Sequence, residues 1–260
     1  SSETVMKRLF LSVSVLLAGT ALAAAADLPG RAGPAAPVVV VPAFSWTGFY
    51  AGVHGAWIRD EGEAVRTGLS GVFPDALPSR AGLSDSGPGG GAQIGYLWDF
   101  GSLVAGLEAD LTVVDLERAR SDGSVDGPFS LRTDLSSQMS LFGSVKGRLG
   151  LALPGLVPFV ERSLLYVTGG LAYARTEHRG QITVTPPAVG PQAGGEGWKT
   201  GFVIGAGTEH ALSKSVSLKA ETLYYDLEDE TLTLARAGDR ALYRFENDGW
   251  ISRVGVNVRF

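Results

Sequence analysis

The sequence predicts an all-β chain: an eight-stranded antiparallel up-and-down transmembrane β-barrel with long loops on one rim and short turns on the other. Three observations predict it. Glycine supplies 36 of the 260 residues, about twice its usual share of roughly 7%, and glycine is costly inside helices. Eight segments alternate with period two, at 46–58, 91–99, 102–112, 138–151, 164–175, 198–212, 216–227 and 249–260. The gaps between them alternate as well. Those at 59–90, 113–137, 176–197 and 228–248 hold 32, 25, 22 and 21 residues, whereas those at 100–101, 152–163 and 213–215 hold 2, 12 and 3. Long loops on one rim and tight turns on the other give this layout. The 12-residue gap fits least well, and its Pro154 and Pro158 mark it as non-strand.

Composition removes several chemistries. The chain has no cysteine, hence no disulfide framework, thiolate metal site or cysteine nucleophile. Three histidines leave little material for metal or triad chemistry, so no metal and no cofactor are expected. A net charge of −5 argues against a nucleic-acid partner.

Taken in order, the chain begins with a targeting segment. Met6-Lys7-Arg8 is basic, Leu9–Ala18 is mainly apolar, and Ala21–Ala26 offers small-residue cleavage sites. Residues 1–26 therefore read as a signal peptide, cleaved within Ala23–Ala26, with Ser1–Val5 ahead of its Met6. Residues 27–45 hold four prolines and read as an extended periplasmic linker. The barrel occupies 46–260.

Each strand has one apolar or small face and one polar face. In the last strand Trp250, Ser252, Val254, Val256, Val258 and Phe260 oppose Ile251, Arg253, Gly255, Asn257 and Arg259. In 216–227, Val216, Leu218, Ala220, Thr222 and Tyr224 oppose Ser217, Lys219, Glu221, Leu223 and Tyr225. A soluble barrel turns the apolar face inward; three features turn it outward here. The polar face mixes small residues with charges of both signs, which suits a cramped interior. Trp46, Trp57, Trp98, Trp198 and Trp250 all sit near strand ends, as in the aromatic girdles of membrane barrels. The signal peptide and absent cysteines suit the bacterial envelope.

Several stretches together resemble the outer-membrane immunogenic, porin-like small β-barrel surface proteins of alphaproteobacteria. They are Ala26–Pro29, Trp46–Gly52, Gly91–Tyr96, Gly106–Asp110, Leu165–Tyr173, Gly205–Glu209 and Arg253–Phe260. The resemblance implies residence in the cell outer membrane. It implies that Val254, Val256, Val258 and Phe260 form the signal read by the outer-membrane assembly machinery. It also brings haemin, bound by some relatives, for which His178 is the single histidine expected in an exposed loop.

Eight strands enclose a bore that side chains can fill. The expected interior charges are Glu108, Asp110, Glu209 and Glu221 against Lys146, Arg148, Lys199, Lys219, Arg253 and Arg259. Buried charges must pair, so a plugging network along the axis is expected, with His54 facing inward as a satisfied polar residue. The long gaps carry a net charge of −8 and read as solvated loops. The functional expectation is a structural, antigenic surface protein, not an enzyme. Its expected partners are outer-membrane lipids and lipopolysaccharide, with host or envelope molecules met through the loops. The alternatives are a small passive porin and a lipid-modifying enzyme.

Overall fold

The computed structural model describes residues 44–70, 78–126, 129–153, 162–185, 192–236 and 239–260. The expected signal peptide, the linker up to residue 43, and Pro154 and Pro158 lie outside the described residues. The strands are β1 (Gly48–Asp60), β2 (Glu63–Ser70), β3 (Arg80–Gly82), β4 (Asp85–Asp99) and β5 (Leu103–Asp126). They continue with β6 (Phe129–Leu153), β7 (Ser163–Thr185), β8 (Gln192–Ala211), β9 (Val216–Arg236) and β10 (Asp239–Arg259).

Eight of them close a ring in the order β1-β4-β5-β6-β7-β8-β9-β10, with β10 returning to β1. Every pairing is antiparallel, and the closing ladder runs from Tyr50↔Arg259 to Asp60↔Gly249. Local chemistry sets the short turns. In the β4–β5 turn the Gly101 amide donates to the Asp99 carboxylate at 2.8 Å, and Gly101 has φ +92°, a conformation that disfavours any side chain. In the β8–β9 turn the Ser213 hydroxyl accepts from the amides of Ser215 and Val216.

The ring's outer wall is apolar: Val53 is 65% exposed, Leu171 71% and Val254 60%. Leu107, Leu149, Val167 and Ile204 continue the same surface. An apolar band of this extent is stable only against lipid.

The structure corrects the reading of the long gaps as solvated loops. β5 and β6 remain paired up to Asp126↔Phe129, and β9 and β10 up to Arg236↔Asp239. The gaps are therefore mostly strand. Their own sequence explains this, because Leu232 and Leu234 are buried while the alternating Thr231 and Thr233 are exposed. Dense charge beside it, as in Glu228-Asp229-Glu230, masks that alternation in the sequence.

Above the membrane the ring divides. Pairing of β8 with β9 stops at Gly201↔Leu227, and pairing of β4 with β5 stops at Gly89↔Val114. Beyond those points, upper β5, β6, β7 and β8 make one four-stranded sheet, and upper β9 and β10 with β2 and β3 make another. Between them lies an apolar core of Ala64, Ala81, Leu83, Leu135, Ile182, Leu232, Leu234, Ala241, Tyr243 and Phe245. Register shifts mark the transition, at Val113/Leu116, Met139/Leu141 and Phe245/Asn247. Barrel rims commonly carry such bulges. We call this two-sheet part the head.

Candidate functional site: a filled bore

Inside the ring, Glu108 sits on β5 beside its ladder partner Lys146 on β6. Period-two geometry turns both inward, with Leu107 and Val145 outward. Glu108 accepts from Tyr50 Oη at 2.6 Å and Lys219 Nζ at 2.6 Å, and pairs with Lys146 at 3.1 Å and Arg148 at 3.2 Å. Asp110 pairs with Lys146 at 2.9 Å and Arg253 at 2.8 Å, and accepts from the Ser144 hydroxyl. Glu221 pairs with Lys146 at 3.0 Å and accepts from Tyr166 Oη at 3.2 Å. Glu209 pairs with Arg148 at 3.0 Å and accepts from Ser217 at 2.5 Å and Asn257 at 3.0 Å.

Two features of this network matter. It is electrically balanced, with Glu108, Asp110, Glu209 and Glu221 against Lys146, Arg148, Lys219 and Arg253. It also crosses the bore, since β5 and β9 lie on opposite sides of the ring and Lys219 still reaches Glu108. Every one of these eight side chains is at most 4% exposed. Charges this deep are tolerable only when each is paired and hydrogen-bonded. His54 extends the network: its ring meets Gln93 and Thr112, the latter at 2.9 Å, and Gln93 donates to Asn257 at 2.7 Å.

Apolar and aromatic layers fill the bore on both sides of the charges. Toward the periplasm lie Trp46, Tyr50, Leu97, Val104, Leu164 and Tyr166. Toward the head lie Ile58, Leu116, Met139, Phe142, Leu223 and Tyr225, among others.

Two expected members of the charged network stand elsewhere. Arg259 lies at the periplasmic mouth, its guanidinium 4.7 Å from the Trp46 ring centroid and 5.1 Å from that of Phe44, and it donates to Ser45 O at 3.1 Å. Lys199 lies at the rim below the head and pairs with Glu230 at 2.8 Å. Both follow the inward parity of their strands, but each stands at an end of the bore, beyond reach of the central carboxylates.

Trp46 is a third correction. It is 2% exposed and inside the mouth, not in a girdle. The turn at Gly48, with φ +146°, folds the preceding residues inward, and a Cβ there would stand 3.0 Å from Phe260 O. The Trp46 amide is held by Asp99 at 2.8 Å. The other tryptophans are exposed on the wall. Trp57, Trp198 and Trp250 lie toward the head, the last beside Tyr224 at 5.3 Å between ring centroids. Trp98 lies at the periplasmic end beside Tyr96 at 4.8 Å.

His178 is the fourth correction. It is not in an exposed loop. Its side chain is fully buried in the head, its ring tilted against Phe245 at 4.7 Å between centroids, with Nε2 3.5 Å from Glu230. Burial pushes its imidazole down to about 4, against the attraction of the Glu230 carboxylate. Neither ring nitrogen is hydrogen-bonded among the described residues, but both are enclosed in the head and out of reach of haemin. Sequence reading also missed the buried Arg118–Asp60 pair at 2.6 Å, with Tyr225 donating to Asp60 at 2.9 Å. The signal was available: Asp60 and Arg118 continue the inward parity of their strands.

His210 stands at the periplasmic rim, its Nδ1 2.9 Å from the Ser163 hydroxyl. The two are ladder partners on β7 and β8. Val254, Val256 and Val258 project outward along β10, Phe260 just beyond its end is exposed too, and the Phe260 amide donates to Phe49 O at 3.0 Å.

An apolar wall around a closed, charge-filled ring is the architecture of an outer-membrane barrel, and residues 12–260 match the family described as outer membrane protein beta-barrel domain. The chain belongs to that family. This outer-membrane β-barrel protein is 28% identical over 259 residues to the 31 kDa outer-membrane immunogenic protein of Brucella melitensis, covering 98% of this chain and 100% of the relative. It is 28% identical over 224 residues to the 22 kDa outer membrane protein of Rhizobium leguminosarum, covering 85% and 81%. The crystal structure of the outer membrane protein OprG from Pseudomonas aeruginosa superposes with a TM-score of 0.54 at 14% identity, covering 84% of this chain and 97% of that one. That last likeness supports the fold. The barrel resides in the outer membrane.

Proposed function

We propose that this barrel is a closed surface-display protein: the ring anchors and the head interacts, while nothing passes through the bore. The observation that carries this reading is the network that crosses the ring, with Lys219 on β9 bonded to Glu108 on β5 and Lys146 on β6 bonded to Glu221 on β9. Opening an ion path means separating fully buried ion pairs, each costing about 3–5 kcal/mol. The layer that includes Trp46 and Tyr50 closes the periplasmic side again. The names of the immunogenic relatives fit a protein whose outer surface meets other molecules. Outer-membrane lipids and lipopolysaccharide are the natural neighbours of the wall, and the exposed valines of β10 suit recognition by the assembly machinery.

The enzyme reading gains nothing from Ser163 and His210, because they pair within a continuous ladder whose backbone amides are already engaged. No oxyanion site follows from that geometry. Single-channel recording of the refolded barrel in planar bilayers tests the closed bore. Quiet baselines are expected, whereas discrete conductance steps would return the protein to the porins.

A further inference from the structure

The head is divided by two seams, and their edges differ. One seam lies between upper β8 and upper β9, the other between β5 and the β3–β4 segment. An ion pair bridges the base of each: Lys199–Glu230 at 2.8 Å and Arg118–Asp60 at 2.6 Å. Along a seam, backbone amides and carbonyls lack a ladder neighbour among the described residues, so an edge is a template for another strand unless charge, proline, glycine or a bulge guards it. The β5 edge is guarded by Glu117, Arg118, Arg120 and Asp122. The β3–β4 edge carries Arg80, Asp85 and Pro88, and β8 carries Gly194, Gly195, Glu196, Gly197 and Lys199.

The β9 edge carries none of these from Thr231 to Ala235. Its sequence there is Thr-Leu-Thr-Leu-Ala, strongly strand-forming and uncharged. Its other side is fully paired with β10, from Thr231↔Arg244 to Ala235↔Arg240, which holds it extended and in register. Leu232 and Leu234 face the core, while Thr231 and Thr233 face outward. Just below the edge stand the exposed carboxylates of Glu228 and Asp229, the latter 3.9 Å from Arg244.

We propose that the free edge of β9 at Thr231–Ala235 is a docking site for an extended segment of another protein, added as a strand. Backbone pairing supplies the affinity and alternate side-chain positions the selectivity. The inward positions of the segment lie alongside Leu232 and Leu234 and call for apolar residues. The end of the segment that reaches Glu228 and Asp229 calls for lysine or arginine. This deepens the surface-display reading and rests on the head facing outward; it is independent of whether the bore conducts.

The probe is a capped seven-residue peptide, Thr-Val-Thr-Val-Thr-Val-Lys, whose C-terminal lysine reaches Glu228 and Asp229 in antiparallel addition, added to the full barrel in lipid nanodiscs. Hydrogen exchange of residues 231–235 should slow on binding, by roughly ten-fold near saturation. Exchanging the peptide's lysine for glutamate should weaken binding by about ten-fold, as should lysines introduced at the exposed positions as Thr231→Lys with Thr233→Lys. Ala119→Lys, on the guarded β5 edge, should leave binding unchanged. Unaltered exchange at 231–235 with millimolar peptide would overturn the proposal. So would equal binding by the double variant, provided its gel mobility on heating shows a folded barrel. Association of the barrel with itself through this edge, with no peptide uptake, would replace the proposal by a self-interface.

Discussion

Ring and head share strands β5 to β10, yet their polarity is reversed. In the ring, β9 turns Ser217, Lys219 and Glu221 inward and Leu218 and Ala220 outward. In the head the same strand turns Leu232 and Leu234 inward and Thr231 and Thr233 outward. The surrounding medium explains the reversal. Lipid takes up the apolar face of the ring, so what remains inside is polar and must satisfy itself by pairing. Water surrounds the head, so the ordinary hydrophobic rule applies and the core becomes apolar. A closed ladder is obligatory in lipid, where unpaired backbone groups have no water to bond. In water the ladder is free to split, and here it does so at two seams.

The comparison is broken most severely by emptying the centre of the ring. Glu108→Ala leaves Lys146, Arg148 and Lys219 without their shared carboxylate. Equilibrium unfolding in phospholipid vesicles should report a loss of about 3–5 kcal/mol, with head packing unaffected. In the head the corresponding change is Phe245→Ala, which opens a cavity beside His178 and Tyr243. It should cost about 3–5 kcal/mol, visible as faster exchange in the head alone. A uniform acceleration through ring and head would mean that the two are one cooperative unit.

Acid sharpens the difference. His178 resists protonation until about pH 4 when folded, whereas an exposed histidine takes up its proton near pH 6.5. The unfolded head therefore binds more protons in this interval, and head stability should fall as pH drops from about 6.5 to 4, by about 3 kcal/mol in all. Below pH 4 the contribution of this residue is spent. Exchange rates of head amides followed from pH 7 to pH 4 check it, and His178→Phe should flatten the profile. The smallest expected effect is at the surface: Arg175→Ala breaks an exposed pair with Glu196 and should change stability by at most about 1 kcal/mol in a urea titration.

Much of the ring was legible in sequence, because a strand that faces lipid on one side and a charge network on the other alternates without interruption. Leu107-Glu108-Ala109-Asp110 is such a run. What escaped was governed by position along the bore. Arg259, Lys199 and Trp46 each point inward, but periodicity alone says nothing of depth, and their partners lie at the two ends. The head escaped for a different reason. Its strands also alternate, as in Thr231–Ala235, but they are dense in charge and turn residues at their bases, and Glu228-Asp229-Glu230 reads as loop. Bulges at the rim also shift the parity of β6 and β9, so one continuous pattern does not carry through. His178 looks exposed only because its segment reads as loop: it continues the unbroken inward parity of β7 through Ala172, Ala174 and Thr176.

The reversal of polarity at the rim is tested most directly by single cysteines in the head, and the natural chain has none to interfere. Thr233→Cys and Leu234→Cys place adjacent thiols on its two faces. On intact cells, a membrane-impermeant maleimide should label the first rapidly and spare the second, because Leu234 is fully buried. Equal and rapid labelling of both would mean that these hairpins are solvated loops without a core, and the account of the head would fail.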